Sequence, residues 1–166
     1  MRRLLTLSVA AALCPLGAAA GAQTPGPDGA HTRTPDTVLM SDNPGMRAVQ
    51  DKWGFSDAVI SGDTIYLSGV VAGTRPGEQG FEPAYERVYA QIAATLKRAG
   101  ASWGDVVDMT SFHTDVEGQI EALAAVHKRH VKAPYPAWTA IGISKLLGGG
   151  ITEIKITARR PAAAAR

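Results

Sequence analysis

The stretch FSDAVISGDTIYLSGVVAG, residues 55–73, decides the fold. Two runs rich in β-branched and aromatic residues flank a short polar turn that contains Gly62, which is the pattern of a β-hairpin. In the second run, the apolar residues Ile65 and Leu67 alternate with Tyr66 and Ser68, as in a strand with one buried face. The segment therefore predicts two strands, at 55–60 and 64–71.

Downstream of the hairpin, two helical patterns alternate with three further strands. Each helical pattern has its apolar residues on one stripe, at spacings of three and four. Since each helix has one such stripe, we expect both to cover the same face of a single mixed sheet. The order β-β-α-β-α-β-β thus predicts one α+β domain. The predicted elements are helices at 82–99 and 116–131 and strands at 106–114, 138–143 and 151–158.

The opposite face of this sheet carries polar and aromatic side chains together. Tyr66 and Ser68 lie on it in the second strand, and Glu153, Lys155 and Thr157 lie on it in the last strand. A mixed face of this kind is either solvated or pressed against another subunit, and the sequence leaves both interpretations open.

The first 22 residues have the three parts of a signal peptide in order. Arg2 and Arg3 precede an apolar run, and Ala20-Gly21-Ala22 fits an A-x-A cleavage site. The apolar run is too short to cross a bilayer, and the alternative is a frayed N-terminal helix. We predict a signal peptide over residues 1–22, a periplasmic or secreted protein, and no membrane partner after cleavage.

The rest of the chain divides by composition. Residues 23–52 are rich in Pro, Gly and small polar residues and predict a flexible leader, with a short ordered piece near residues 46–53. Residues 53–160 hold all the periodic segments and predict one compact domain. Residues 161–166 form a short Ala-rich tail.

The balance of acidic and basic residues excludes a basic surface that would bind the phosphate backbone of a nucleic acid. The 166 residues include 17 Lys and Arg, 15 Asp and Glu and one Cys, with a formal net charge of +2. Arg2, Arg3 and Cys14 all belong to the predicted signal, so its removal leaves a formally neutral chain without cysteine. We therefore expect no nucleic-acid partner and no disulfide framework.

Short catalytic motifs add little. The chain has no GxxxxGK[ST], GxGxxG, GxSxG, HExxH or CxxC sequence. His113 and Asp115 alternate at a strand end, but a third ligand with matching spacing is missing, so we predict no metal site. Ser68 or Ser111 could complete a triad with that pair, although no nucleophile elbow supports it. His127 lies on an apolar helix stripe, which predicts a buried, hydrogen-bonded core residue.

Three strings, read together, carry a family resemblance: the SG at 68–69, AGASWGDVVDMTSF at 99–112 and PAWTAIGISKLL at 136–147. Over about residues 53–160 the chain resembles the Rid family of YjgF-like reactive-intermediate deaminases. The resemblance implies a chorismate-mutase-like α+β fold and a homotrimer with a barrel-like centre. It also implies a small-molecule cleft at each subunit interface. The archetypal reaction is the cofactor-free hydrolysis of 2-imino acids to 2-keto acids and ammonia.

The site positions implied by the resemblance are mostly altered in this chain. Trp138 follows Pro-Ala, where the archetype has an Arg that binds the substrate carboxylate, and an indole cannot form that bidentate contact. The catalytic Glu of the last strand aligns with Lys155, and Glu153 lies two residues away on the same strand face. Among the other implied cleft positions, Ser68 is retained, whereas Phe55 and Glu117 are substitutions.

Two hypotheses follow from these changes. In the first, Lys155 holds an anionic group, Glu153 acts on water, and the protein hydrolyses a small imine, enamine or related metabolite. In the second, the two charged residues form a solvated or intersubunit ion pair, and Trp138 fills the vacated pocket of a non-catalytic binding protein or scaffold. An endoribonuclease, a label carried by part of the family, is the least favoured because the chain has no basic stripe.

Overall fold

The computed structural model of the protein describes residues 33–161. The predicted signal peptide and all but the first residue of the predicted tail lie outside the described residues. The helices are α1 (Pro44–Trp53), α2 (Glu82–Arg98) and α3 (Val116–His130). The strands are β1 (Val38–Leu39), β2 (Ala58–Ser61), β3 (Thr64–Leu67), β4 (Val70–Ala72), β5 (Val106–His113), β6 (Ala137–Gly142) and β7 (Thr152–Arg159).

The strands form one mixed sheet in the order β1-β2-β3-β7-β5-β6, and β4 also pairs with β7. Among the described strands, β5 and β6 are parallel and the other pairs are antiparallel. The α+β class and the mixed sheet are therefore confirmed. The segment predicted as one strand at 64–71 is instead broken at Ser68 and Gly69, so that β3 and β4 meet β7 at different points along its length.

The core lies between α2, α3 and one face of the sheet. Tyr85, Tyr89 and Ile92 on α2 are fully buried, as the apolar stripe predicts. On β7, Ile154 and Ile156 point into the same core, while the residues between them face the other side. None of the helices in residues 33–161 has the length and apolar character needed to cross a membrane.

Residues 33–52, the described part of the predicted leader, are folded rather than flexible, and the short ordered piece predicted near residues 46–53 is part of a helix. The chain pairs β1 with β2 and then forms α1, whose first turn is capped by Asn43 Oδ1, which accepts a hydrogen bond from Met46 N at 3.1 Å. Gln50 fixes this helix to the sheet, since its buried amide accepts from Ser41 N at 2.8 Å and donates to Asp57 Oδ1 at 2.6 Å. The folded domain therefore begins well before residue 53.

Candidate functional site

Two neighbouring clefts open where β3 breaks from β4. The first, which we call the α1 cleft, has a volume of about 700 Å³ and lies between α1, the break and the loop at 145–147. The second, the sheet cleft, has a volume of about 560 Å³ and lies over the exposed face of the sheet beside Tyr66 and Lys155. Five residues line both clefts: Leu67, Ser68, Gly69, Leu146 and Glu153.

Glu153 is the acidic residue shared by the two clefts. Its side chain lies over the backbone of Gly69, where an added β-carbon would come within 1.7 Å of Glu153 Oε1. Within the described residues, the Glu153 carboxylate forms no hydrogen bond or ion pair with another side chain. A half-buried carboxylate left unpaired in a cleft is available to accept a proton from water.

Ser68 lies beside this carboxylate and holds the broken strand in place. Its hydroxyl donates to Ser56 O at 2.6 Å, and its backbone N–H donates to Asp57 O at 2.9 Å. The bend that separates β3 from β4 is thus fixed to the segment that precedes β2. This arrangement keeps the Gly69 backbone close under Glu153.

Lys155 lines the sheet cleft but not the α1 cleft. It lies on β7 opposite Thr110 of β5, on the same exposed face as Glu153. Within the described chain, Lys155 and Glu153 do not form an ion pair. The ion pair of the second hypothesis is therefore not formed within one subunit.

Trp138 does not face these clefts. In the β5–β6 register it is the partner of Met109, a fully buried residue, so its side chain points to the helical side of the sheet. The indole N–H donates to Ser111 Oγ at 2.8 Å, and the ring lies 5.2 Å from that of His127. Within one subunit, the side chains of Trp138 and Lys155 lie on opposite faces of the sheet.

Ser111, His113 and Asp115 are not assembled into an accessible site in the described structure. Ser111 Oγ and His113 Nε2 share a hydrogen bond of 2.8 Å, but both residues are completely buried, and burial lowers the pKa of His113. Asp115 points away to cap α3, where its carboxylate accepts from Gly118 N at 3.2 Å. In residues 33–161, no group of three or more His, Cys, Asp and Glu side chains could hold a metal ion.

The family model for endoribonuclease L-PSP matches residues 46–160, which include most of α1 and the whole of the sheet from β2 onward. The chain belongs to the endoribonuclease L-PSP family. YjgH, a RutC family protein of Escherichia coli, is 38% identical to it over 120 residues, which are 70% of this chain and 91% of YjgH. The solved structure of protein YjgH matches with a TM-score of 0.65 and 34% identity, over 80% of this chain and 100% of that one.

A second curated relative carries an activity in its name. The 2-iminobutanoate/2-iminopropanoate deaminase of the mite Dermatophagoides farinae is 28% identical over 105 residues, which are 61% of this chain and 81% of the mite protein. The family assignment agrees with the resemblance seen in the sequence. The match from residue 46 also places α1 within the L-PSP domain rather than in a leader.

The remaining predicted cleft residues are divided between the α1 cleft and the surface. Phe55 lines the α1 cleft together with Ser68 and Glu153. Glu117 is exposed in the first turn of α3 and lines neither of the two clefts. The structure thus places Ser68 and Glu153 in both clefts, Phe55 in the α1 cleft and Lys155 in the sheet cleft, and leaves Glu117 and Trp138 outside both.

Sequence reasoning missed one wall of the α1 cleft. Met46, Val49 and Trp53 line it, and all three belong to α1. Their spacing of three and four residues after an Asn-Pro helix start was the available signal. The signal was hidden by the Pro- and Gly-rich composition of the preceding residues, which favoured a leader.

Proposed function

We propose that this protein hydrolyses a small imine or enamine in the cleft beside Glu153, without a cofactor. The observation that carries the proposal is the unpaired Glu153 carboxylate, which lies over Gly69 and beside Ser68 at the junction of the two clefts. The name of the mite relative supports the same reaction type.

The reaction needs one water and no redox partner. Glu153 accepts a proton from water as the water oxygen bonds to the imine carbon, and the C=N electron pair moves to nitrogen, which takes up a proton. Glu153 then returns its proton to the amine nitrogen of the carbinolamine, the C–N bond breaks to release ammonia, and the hydroxyl group loses its proton to solvent as the carbonyl forms. Imine and water together give ketone or keto acid and ammonia, so atoms and charge balance.

Lys155 is the proposed partner for an anionic group of the substrate. It lines the sheet cleft next to Glu153 and has no ion-pair partner within the described residues. This role replaces that of the archetypal Arg, since Trp138 lies on the other face of the sheet. A single ammonium binds a carboxylate with less geometric control than a guanidinium, so we expect weaker discrimination for 2-imino acids.

We also propose a periplasmic or secreted homotrimer. The exposed sheet face supports assembly, because Tyr66, Val107 and Ile141 are 49%, 46% and 40% exposed in the single chain. Light scattering of the purified protein tests the trimer, and a monomer mass would contradict it.

Mass spectrometry of the exported protein tests the predicted signal peptide, with an N-terminus at residue 23 as the expected result.

The activity test generates 2-iminobutanoate or 2-iminopropanoate in situ with a serine/threonine dehydratase and traps the remaining imine with semicarbazide. We expect the purified protein to lower the yield of semicarbazone and to speed the release of keto acid. If an arginine-bearing relative works in the same assay and this protein gives no acceleration, 2-imino acid hydrolysis is excluded. Ligand binding without turnover would favour the non-catalytic hypothesis.

A further inference from the structure

Helix α1 presents an apolar surface that the domain itself leaves uncovered. Met46, Val49 and Trp53 follow the i, i+3, i+7 spacing of one helix face and are 41%, 37% and 58% exposed. All three line the α1 cleft, the same cleft that contains Glu153 and Ser68. Large apolar side chains that cluster around a cleft, rather than being scattered singly, mark a surface for a ligand.

This wall is rigidly placed. Gln50, on the same helix, is fully buried and connects the backbone of Ser41 to the carboxylate of Asp57. Arg47 Nε donates to Ser41 O at 3.2 Å, which fixes the start of the helix from the outside. A preorganised wall loses little conformational entropy when a ligand binds against it.

The size and charge of the cleft indicate what it accommodates. Its volume of about 700 Å³ is in the range of pockets that enclose drug-sized ligands, and a three-carbon imine would leave much of it filled with water. Of its charged lining residues, Asp57 is already paired with Arg98 at 2.8 Å, and Lys145 is exposed. The side of the cleft formed by α1 therefore offers apolar contact rather than charge.

We propose that α1 makes this site selective for imines that carry a bulky aromatic or branched apolar substituent, with Met46, Val49 and Trp53 as the contact surface. The proposal rests on the proposed hydrolase function and specifies its substrate class. The reacting carbon lies at Glu153, and the substituent extends from there along the α1 wall.

The first test compares two imines made by the same chemistry. D-amino acid oxidase with catalase converts D-phenylalanine and D-alanine to 2-imino-3-phenylpropanoate and 2-iminopropanoate. We expect kcat/KM to be at least about tenfold higher for the phenyl substrate, and Trp53→Ala to remove most of that ratio. The matched control is Tyr135→Ala. Tyr135 is an aromatic residue of similar exposure, 57%, that lines neither cleft, so its removal should leave the ratio unchanged.

A binding measurement separates this inference from the proposed function. Calorimetry with phenylpyruvate and pyruvate, the stable keto-acid products, needs no turnover. If neither imine is hydrolysed but phenylpyruvate binds at least about tenfold more tightly, and Trp53→Ala abolishes the difference, the hydrolase function fails and the α1 selectivity stands. If both imines are hydrolysed with equal kcat/KM, and Trp53→Ala leaves that ratio unchanged, the selectivity is overturned and the hydrolase function stands.

Discussion

At Gly69 the backbone and the Glu153 carboxylate are so close that no side chain fits between them. A β-carbon there would lie 1.7 Å from Glu153 Oε1 and 2.6 Å from its Cδ. The atoms in the way belong to the flexible end of a side chain and not to the backbone. An added methyl group would therefore displace the carboxylate more readily than it would disturb the sheet.

Gly69→Ala should lower kcat by at least about tenfold while changing the free energy of unfolding by no more than about 1 kcal/mol. The measurements are the initial rate of imine hydrolysis and a urea titration of each variant. Gly73→Ala is the matched control, because a β-carbon at Gly73 meets no atom within 4 Å. Wild-type activity in Gly69→Ala would show that the position of the Glu153 carboxylate does not matter.

The indole N–H groups of Trp138 and Trp103 differ in their hydrogen bonding. Trp138 Nε1 donates to Ser111, whereas Trp103 Nε1 is buried without a partner among the described residues. Trp138→Phe should therefore destabilise the protein by about 1 kcal/mol more than Trp103→Phe, as measured by urea unfolding. Equal losses would mean that the Trp138 hydrogen bond adds nothing to stability.

Buried histidines make the stability depend on pH. Burial lowers the pKa of His113 and of His127 from the ordinary histidine value of 6.5. Below pH 6.5, the unfolded chain binds protons that the folded chain does not. The free energy of unfolding therefore falls as the pH drops below this value, and these histidines do not change it at higher pH.

The pH prediction is tested by urea unfolding at about pH 7.5 and about pH 5.5. The wild type should lose stability between these two values, and His127→Asn, which cannot titrate, should lose less. Asn can still pair with Tyr89, whose hydroxyl shares a hydrogen bond of 2.9 Å with His127 Nδ1. An equal loss in both proteins would show that His127 is not responsible.

At the scale of elements, apolar periodicity predicted both long helices and the last three strands, and the predicted ends lie within about one residue of the observed ends. It failed at the break between β3 and β4, since Ser68 and Gly69 read as a continuation of the strand. At α1, the short ordered piece predicted near residues 46–53 is present, but residues that favour turns obscured its helical start at Pro44. Both features shape the α1 cleft.

Gln50 provides the test of how α1 is attached. Gln50→Ala removes the hydrogen-bond partner of Ser41 N and of Asp57 Oδ1, while Asp57 Oδ2 keeps its ion pair with Arg98, so we expect a loss of about 2 kcal/mol and faster hydrogen exchange throughout α1. The control is Lys52→Ala, an exposed position on the same helix, which should change neither. Unchanged exchange in Gln50→Ala would mean that other contacts hold α1.

At the scale of the whole molecule, the site depends on long-range register, which composition and periodicity do not specify. Alternation places Glu153 and Lys155 on one face of β7, and the structure agrees. The face on which Trp138 lies depends on the pairing of β6 with β5, and a shift of one residue would reverse it. The sequence therefore predicted the strands that carry these residues, whereas the face of the sheet on which Trp138 lies is specified only by the strand register.

The central claim is that Glu153 activates water in a cofactor-free imine hydrolase, and the most direct test is the rate of imine loss with Glu153→Gln and Lys155→Ala. Glu153→Gln keeps the size of the side chain but cannot accept the proton, so kcat should fall by about 10²- to 10⁴-fold. Lys155→Ala should mainly raise KM, since Lys155 is the proposed contact for the substrate's anionic group. A folded Glu153→Gln protein with the wild-type kcat would contradict the claim.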